Sequence, residues 1–261
     1  MRPRRADTVL AERGLVRSRA SAAQAIRAGR VRLGRDGRAL VKPSELIDPE
    51  AELVVSEPER YVSRGGYKLE RALDALGIDP AGRDCLDVGA STGGFTDCLL
   101  QRGASRVVAL DVARGQLDWR LRNDQRVHVI ERCNARQLSA EQLPFRPQLA
   151  TIDVSFISLT KVLPAVAGTL SEDGELLAMV KPQFELGRGR VGKGGVVRDS
   201  ADRREAVLKI ARFARELGLV VRGFAPSGLP GPKGNRETFV WAARGGPGLG
   251  DLEAALAEVD V

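Results

Sequence analysis

Residues 84–95 read DCLDVGASTGGF, a short strand that runs into a glycine-rich turn and the start of a helix. A turn of this kind after the first strand of an α/β unit lets a ligand approach the backbone closely. Asp111 ends the next predicted strand, about 20 residues further on, where an acidic side chain can bind ribose hydroxyls. The turn and the acid together predict a nucleotide-type binding site. The alternative is a glycine-rich turn without a ligand.

Predicted strands alternate with predicted helices along the rest of the chain, which is typical of a mainly parallel, doubly wound sheet. The loop PSGLPGPKGN, residues 226–235, separates the last two strands, and we expect these to form an antiparallel hairpin at one edge. The predicted fold is therefore α/β and Rossmann-like, with seven strands. The strands are predicted at 84–88, 106–111, 127–130, 149–153, 175–180, 219–224 and 237–242.

The residues before this domain predict a separate small α+β unit over 1–59, with two short helices and a small sheet. Residues 60–66, RYVSRGG, are interpreted as a linker because they end in a double glycine. The larger domain is then expected over 67–244, followed by a tail, 245–261, whose pattern is ambiguous.

Positive charge is concentrated at the start of the chain. Residues 1–42 contain twelve Arg or Lys and three acidic residues, a net +9, whereas the whole chain carries +7. Clustered basic charge favours a polyanionic partner such as nucleic acid. The alternative is a solvated basic face in an arginine-rich protein.

The composition excludes several classes of protein. Three cysteines without a CxxC motif and one histidine argue against a zinc site and against a disulfide framework. A reducing, cytoplasmic setting is consistent with this cysteine usage. No apolar run approaches the roughly 18 residues of a membrane helix, and no secretory signal pattern follows the basic start. We therefore expect neither a metal nor a membrane partner.

The form of the glycine-rich turn favours one cofactor. Nicotinamide-binding turns read GxGxxG, whereas residues 89–94 read GASTGG and lack the second glycine of that pattern. The difference counts against a pyrophosphate ligand. It suits a nucleoside joined to a charged amino acid, which describes S-adenosylmethionine.

Four charged residues are predicted to meet at the edge of the sheet beside this turn. Asp153 and Lys181 each end an apolar strand, Glu237 opens the final strand, and Lys68 lies in the helix before the first strand. Because a lysine that ends a buried strand is costly to desolvate, a functional reason is favoured for the set. Taken singly, each residue is also compatible with an ion pair or a helix cap.

These residues suit methyl transfer to a ribose hydroxyl. The hydroxyl must be aimed at the methyl group and must lose its proton. A free lysine has a pKa of about 10.4, which a second lysine and partial burial would both lower. We therefore predict Lys181 as the proton acceptor and Lys68 as the group that positions the hydroxyl. Asp153 is expected to orient Lys181, and Glu237 to orient Lys68.

The same residues resemble a known family. Lys68, Asp153, Lys181 and Glu237 are similar to the Lys-Asp-Lys-Glu tetrad of FtsJ-like ribose 2′-O-methyltransferases, and the front unit resembles an S-four-type RNA-binding domain. Together, VSRGGYKLE, LDVGASTGGFTD, DVSFISL, VKPQFELG and GGVVRD resemble the TlyA family over roughly residues 1–243. The chain departs from some relatives at Tyr61, where they carry a linker tryptophan.

The resemblance implies a class I methyltransferase fold, S-adenosylmethionine as cofactor, and cytidine 2′-O-methylation of ribosomal RNA, free or in ribosomal subunits. The residues that it implies for cofactor binding are Gly89, Ala90, Ser91, Thr92, Gly93, Gly94, Phe95, Asp111, Asn134 and Asp153. Asn134 is equally compatible with a simple turn.

RNA contacts are expected from both parts of the chain. The basic loop 185–198, ELGRGRVGKGGVVR, is interpreted as a mobile segment that closes on RNA. Trp119 and Trp241 are interpreted as core or surface packing residues rather than as base-stacking platforms. The predicted RNA-binding residues are Arg4, Arg5, Arg17, Ser18, Arg19, Arg27, Arg30, Lys42, Arg64, Arg188, Arg190 and Lys193.

Three other functions remain as alternatives. A cytolytic, hemolysin-type protein would need a spanning helix, a barrel pattern or an export signal, and none is predicted. A non-catalytic RNA-binding assembly factor would not need an intact tetrad. An NAD-dependent enzyme is disfavoured by the form of the turn.

Overall fold

The computed structural model describes residues 2–56, 59–192 and 194–261, except for the side chain of Arg188. The chain divides into two compact units, Met1–Arg60 and Tyr61–Val261. Each unit has a hydrophobic core of its own.

The first unit packs two short helices against two small antiparallel ladders, β1 with β3 and β2 with β4. Ser18 begins the second helix, because its side chain accepts a hydrogen bond from the Ser21 amide at 3.2 Å. Apolar residues from both helices and from the ladders, such as Leu10, Ile26 and Val31, fill the core of this unit. The elements are β1 Arg4–Arg5, α1 Ala6–Glu12, α2 Arg19–Arg27, β2 Val31–Leu33, β3 Leu46–Ile47 and β4 Leu53–Val55.

The second unit alternates strands with helices, as the sequence predicts. Its helices are α3 Arg64–Leu76, α4 Gly94–Gln101, α5 Trp119–Arg122, α6 Leu163–Thr169, α7 Pro182–Glu185, α8 Ser200–Glu216 and α9 Leu252–Ala257. Its strands are β5 Asp84–Val88, β6 Arg106–Leu110, β7 Val127–Ile130, β8 Leu149–Ile152, β9 Glu175–Val180, β10 Val220–Pro226 and β11 Thr238–Ala243.

These seven strands form one sheet in the order β10-β11-β9-β8-β5-β6-β7. The strands from β9 to β7 are parallel, whereas β11 runs antiparallel to both β9 and β10. Successive side chains of a strand point to opposite faces, so Cys85 and Leu86 join two different hydrophobic clusters, each covered by helices. The predicted doubly wound sheet with an antiparallel edge pair is confirmed.

The stretch predicted as a linker has more structure than the sequence suggests. Helix α3 begins at Arg64, inside the stretch 60–66 that is predicted as a linker, and Tyr61 is only 2% exposed. A Cβ on Gly66 would lie 2.3 Å from the Tyr61 ring, so this glycine allows close packing rather than flexibility. The glycine pair that suggested a linker therefore belongs to the second unit.

The tail from residue 245 onward contributes to the core of the second unit. Asp251 caps helix α9 by accepting a hydrogen bond from the Ala254 amide at 3.0 Å. Leu252, Leu256 and Val261 are each at most 3% exposed and belong to the larger hydrophobic cluster.

Candidate functional site

The glycine-rich turn lies at the carboxyl end of β5, in the middle of the parallel strands. Gly89, Ser91 and Gly93 adopt positive φ angles of 87°, 49° and 98°. A Cβ on Gly89 would lie 2.5 Å from the Asp153 carbonyl oxygen, and one on Gly93 would lie 2.2 Å from a methyl group of Leu121. Only glycine fits both positions, so the turn is shaped by contacts with its neighbours as well as by its own sequence.

Asp111 is tied to this turn. One carboxylate oxygen accepts a hydrogen bond from the Ser91 amide at 2.7 Å, and the other accepts from the Ala113 amide at 2.7 Å. The turn and Asp111 line a cavity of about 500 Å³. Val112, 70% exposed, and Asn134 also line it. Asn134 additionally caps a short 3₁₀ turn by accepting from the Arg136 amide, so both of its expected roles are compatible with the structure.

A second cavity of about 530 Å³ adjoins the first and shares Gly89, Ser91, Asp153 and Ser155 with it. All four residues of the predicted tetrad line this second cavity. Ala90, Thr92, Gly94 and Phe95 line it from the turn. Phe95 is otherwise a core residue, because it is 3% exposed and its ring lies 5.9 Å from that of Phe239.

Lys181 and Asp153 form one ion pair of the tetrad, and the Lys181 ammonium also donates to the Ser155 hydroxyl at 2.9 Å. Asp153 follows β8 and Lys181 follows the neighbouring β9, so the parallel register brings them together. The Lys181 side chain is 11% exposed and that of Asp153 is 25% exposed. The lysine amine is therefore partly desolvated and held at the cavity wall.

Lys68 and Glu237 form the other pair, which is more deeply buried, with side-chain exposures of 9% and 2%. Thr238 pairs with Val180 across the antiparallel strands, which places Glu237 at the same edge as Lys181. Two ion pairs thus border one cavity, and the Lys68–Glu237 pair is the more buried of the two.

Asp87 is a buried acid that the sequence analysis did not single out. Its side chain is completely buried, and one oxygen accepts from the Thr96 amide at 2.9 Å and the Thr96 hydroxyl at 2.7 Å. The pKa of Asp87 is raised to about 7, mainly by burial and also by the nearby carboxylate of Asp153, while the Thr96 hydrogen bonds oppose the rise. The sequence does contain a sign of Asp87, because it is an acidic residue in the middle of an otherwise apolar part of a predicted strand.

The raised pKa of Asp87 predicts a pH-dependent stability. In the unfolded chain its pKa is about 3.9, so between about pH 4 and pH 7 the folded state holds a proton that the unfolded state has released. Stability from this group therefore falls as the pH rises through that window. We expect Asp87→Asn to remove this loss of stability with rising pH. The Tm of the variant minus that of the wild type should therefore be larger at pH 8 than at pH 5.

Tryptophan fluorescence measures this prediction, because both tryptophans, Trp119 and Trp241, lie in the second unit. Asp79→Asn, at an exposed aspartate of the same unit, is the matched control. A difference in Tm between Asp87→Asn and wild type that stays constant from pH 5 to pH 8 would contradict the assignment.

Two further residues hold the site loops in place, and the sequence analysis missed both. The buried Glu185 accepts from the Ser158 hydroxyl at 2.6 Å and the Leu159 amide at 2.7 Å, which fixes the segment after Asp153. Asn235 accepts from the Val197 amide and donates to the Gly195 carbonyl, at 2.9 and 2.8 Å. Such contacts join residues 26 to 40 positions apart, so no local pattern predicts them.

The basic residues predicted to bind RNA in the first unit fall into two groups. Arg4 pairs with Glu12 at 2.7 Å, while Arg5 and Arg19 both pair with the buried Asp7, at 2.8 and 3.5 Å. The Arg5 hydrogen bond is the main cause that lowers the pKa of Asp7 to about 2. These arginines are thus partly neutralised inside the unit.

The second group is free to bind a partner. Within the described part of the chain, the side chains of Arg17, Arg27 and Lys42 are exposed and form no ion pair or hydrogen bond. Arg30 is intermediate, because it donates to the Ser56 carbonyl at 3.3 Å. The hydroxyl of Ser18 is used as a helix cap.

The basic loop 185–198 is partly anchored. Arg190 pairs with Asp202 at 3.2 Å and with Glu205 on helix α8. Lys193 and the side chain of Arg188 lie outside what the structure describes. Arg64 donates to the Pro230 carbonyl at 2.7 Å and lines the cavity that holds the tetrad.

Comparison with known proteins identifies this arrangement. A family model described as FtsJ-like methyltransferase matches residues 61–244, and an S4 domain model matches residues 4–53. A "16S/23S rRNA (cytidine-2'-O)-methyltransferase TlyA" from Mycobacterium tuberculosis is 54% identical over 91% of this chain and 88% of its own length. The chain belongs to the TlyA family of FtsJ-like methyltransferases.

Members of this family carry two kinds of name. "Hemolysin A" of Brachyspira hyodysenteriae is 39% identical to this TlyA-family chain over 89% of it and 97% of the relative. A solved structure from Streptococcus thermophilus, which also bears a hemolysin name, superposes with a TM-score of 0.74 at 39% identity and covers 99% of this chain and 96% of its own. Because the FtsJ-like methyltransferase model matches residues 61–244, the protein is a methyltransferase by family and not an NAD-dependent enzyme.

Two further features concern the residues that the structure describes. No helix in them is both long and apolar enough to cross a membrane. No group of three or more His, Cys, Asp or Glu in the same residues is placed to hold a metal ion.

Proposed function

We propose that this TlyA-family protein transfers a methyl group from S-adenosylmethionine to the ribose 2′-hydroxyl of a cytidine in ribosomal RNA. The observation that carries the proposal is the pair of lysine–carboxylate contacts at one cavity that adjoins the glycine-rich turn. The relative from M. tuberculosis, which acts on cytidine in 16S and 23S rRNA by its name, supports the choice of substrate.

The residues around the turn fit S-adenosylmethionine. The cavity of about 500 Å³ offers the carboxylate of Asp111 at a strand end, the amide of Asn134 and the exposed apolar side chain of Val112. These groups suit ribose hydroxyls, the adenine edge and the adenine face. Asp153, which both cavities share, lies where the cofactor cavity meets the tetrad. When bound, the cofactor supplies an electrophilic methyl group on a sulfonium.

Within this proposal, the Lys181 ammonium first releases a proton to solvent, and the neutral amine then accepts the proton of the attacking hydroxyl. Its amine is held by Asp153 and Ser155, so its direction is fixed before the substrate arrives. Glu237 holds the amine of Lys68, which is then able to donate a hydrogen bond to the same hydroxyl and aim it. The low exposure of both lysines excludes water that would otherwise compete for these hydrogen bonds.

RNA binding is shared by the two units in this proposal. Residues 43–60 contain six acidic residues and one arginine, so the first unit carries a net +4 and the second a net +3. The +9 of residues 1–42 therefore overstates the difference between the two units. Within the first unit, affinity comes from the cations that have no internal partner among the described residues, Arg17, Arg27 and Lys42.

We expect the double variant Arg17→Gln/Arg27→Gln to bind ribosomal RNA more weakly and with less salt dependence. Each lost phosphate contact lowers the slope of log K against log salt by about 0.7–0.9. The control Arg212→Gln/Arg215→Gln removes the same charge from helix α8 of the second unit. Equal slopes for the two double variants in a filter-binding titration would show that total charge, rather than this surface, governs binding.

Methyl transfer to ribosomal RNA tests the proposed function directly. Purified protein is incubated with methyl-labelled S-adenosylmethionine and with small subunits, large subunits or naked rRNA from cells that lack the gene. The label is expected on the ribose of a cytidine in at least one of these substrates, as mapped by nuclease digestion and mass spectrometry. Label on a base, label on another nucleoside, or no transfer to any of the substrates would overturn the proposal.

A further inference from the structure

Trp119 is exposed to an unusual degree for a residue of its size. Its side chain is 75% exposed, although tryptophan has a large apolar surface to bury. Val112 and Phe156, which are also exposed, line the cavities of the candidate site, whereas Trp119 lines neither of the two described above. Of the core or surface packing expected for Trp119 from the sequence, this exposure excludes core packing.

The exposed indole belongs to helix α5, which is capped at its start and packed on its inner side. Trp119 begins helix α5, where Asp118 accepts a hydrogen bond from the Arg120 amide at 2.8 Å and Asn123 bonds back to the Trp119 carbonyl at 2.7 Å. On the inner side of this helix, Leu121 is 5% exposed and packs against Gly93 of the glycine-rich turn. Trp119 is therefore held outward by a helix whose inner face is fixed.

Arginines flank Trp119 in the sequence. Residues 112–132 contain five arginines and three acidic residues. Arg120 pairs with Asp118 at 3.1 Å and Arg122 pairs with Glu131, and the charge of exposed Arg114 helps to lower the pKa of the same Glu131 carboxyl. The surface formed by Arg114, Trp119, Arg120 and Arg122, here called the α5 surface, thus offers an aromatic face beside guanidinium groups.

We propose that the α5 surface is an RNA contact of the catalytic unit, in which an unpaired nucleobase stacks on Trp119 and neighbouring arginines bind its phosphates. An exposed aromatic ring beside cations is the arrangement that binds single-stranded nucleic acid with little sequence preference. This inference rests on the proposed function, because it assumes an RNA substrate. The α5 surface would be an RNA contact separate from the tetrad and from the glycine-rich turn.

Fluorescence tests the contact without requiring turnover. The chain has two tryptophans, so Trp241→Phe leaves Trp119 as the single emitter. Trp241 lies on β11 with the Arg222 guanidinium 5.4 Å from its ring, away from the α5 surface in sequence and outside the tetrad. Stacking on a base is expected to quench Trp119 emission when rRNA or ribosomal subunits are added. Unchanged emission at saturating RNA would overturn the inference.

Kinetics of three substitutions separate stacking from simple apolar contact. Trp119→Ala and Trp119→Leu are expected to raise the KM for rRNA about tenfold, whereas Trp119→Phe, which keeps an aromatic face, retains most of the affinity. The kcat and the cofactor Kd should stay close to wild type, because Leu121 and the turn are untouched. Equal KM values for the leucine and phenylalanine variants would contradict stacking.

The outcomes distinguish this inference from the proposed function. If the wild type methylates no RNA, the proposed function fails whatever Trp119 does. If the wild type is active and Trp119→Ala has the wild-type KM, only the α5 contact fails. Loss of activity on assembled subunits but not on naked rRNA, with unquenched Trp119, would mean that a ribosomal protein binds there and would overturn the RNA assignment.

Discussion

Lys181→Ala is expected to lower kcat for methyl transfer to RNA by a factor of about 10²–10⁴, the usual contribution of a positioned general base. The Lys181 amine is held at the cavity wall by Asp153 and Ser155, and no other basic nitrogen of the tetrad shares those two partners. Cofactor affinity should change little, because the turn and Asp111 keep their hydrogen bonds without Lys181. Single-turnover methylation and calorimetry with S-adenosylmethionine measure the two effects.

A conservative variant and a surface control sharpen this test. Lys181→Arg keeps the positive charge, but a guanidinium stays protonated and cannot accept a proton, so this variant should be nearly as inactive as Lys181→Ala. Lys161→Ala, at an exposed lysine of the same unit, should leave activity unchanged. Activity of Lys181→Arg close to wild type would mean that Lys181 acts through its charge and that another group accepts the proton.

Lys68→Met is expected to destabilise the second unit by about 3–5 kcal/mol as well as to impair catalysis, because it leaves a buried carboxylate without its partner. The Glu237 side chain is 2% exposed, so water cannot replace the lost ammonium. Denaturant unfolding followed by tryptophan emission reports this unit alone, since both tryptophans lie in it.

The double variant Lys68→Met/Glu237→Gln separates the structural effect from the catalytic one. Removing both charges should restore much of the stability, because buried ion pairs add little over neutral side chains of similar volume. Methylation should stay low, since no ammonium remains to aim the hydroxyl. A double variant that recovers both stability and activity would show that Lys68 and Glu237 serve only the fold.

The strands of the sheet could be predicted from the sequence because the patterns that indicate a strand extend over only a few neighbouring residues. Seven apolar runs, each bounded by turn residues, correspond to the seven strands of the structure. The glycine-rich turn after β5 and the acid at the end of β6 were visible for the same reason. Element ends were less accurate: the strand predicted over 219–224 spans Val220–Pro226, because its pairing with β11 continues to Pro226.

The composition of the site edge could also be predicted, because parallel strands bring their carboxyl ends to one edge. Asp153 and Lys181 follow neighbouring strands, and the antiparallel β11 returns Glu237 to them. The functional roles of these residues stay predictions. Neither Ser155 nor Glu185 was found, since each acts through contacts more than twenty residues away in the chain.

By itself, the sequence determined the order of strands and helices, the turn and the residues available for chemistry, because periodicity and turn residues act over a few positions. Only the tertiary structure decided which charges are neutralised and which are free. It ties Arg5 and Arg19 to Asp7 and leaves Arg17 and Arg27 open. It also packs Tyr61 against Gly66 and turns Trp119 outward. Burial and ion pairing depend on groups that meet only when distant segments pack together, so no local pattern encodes them.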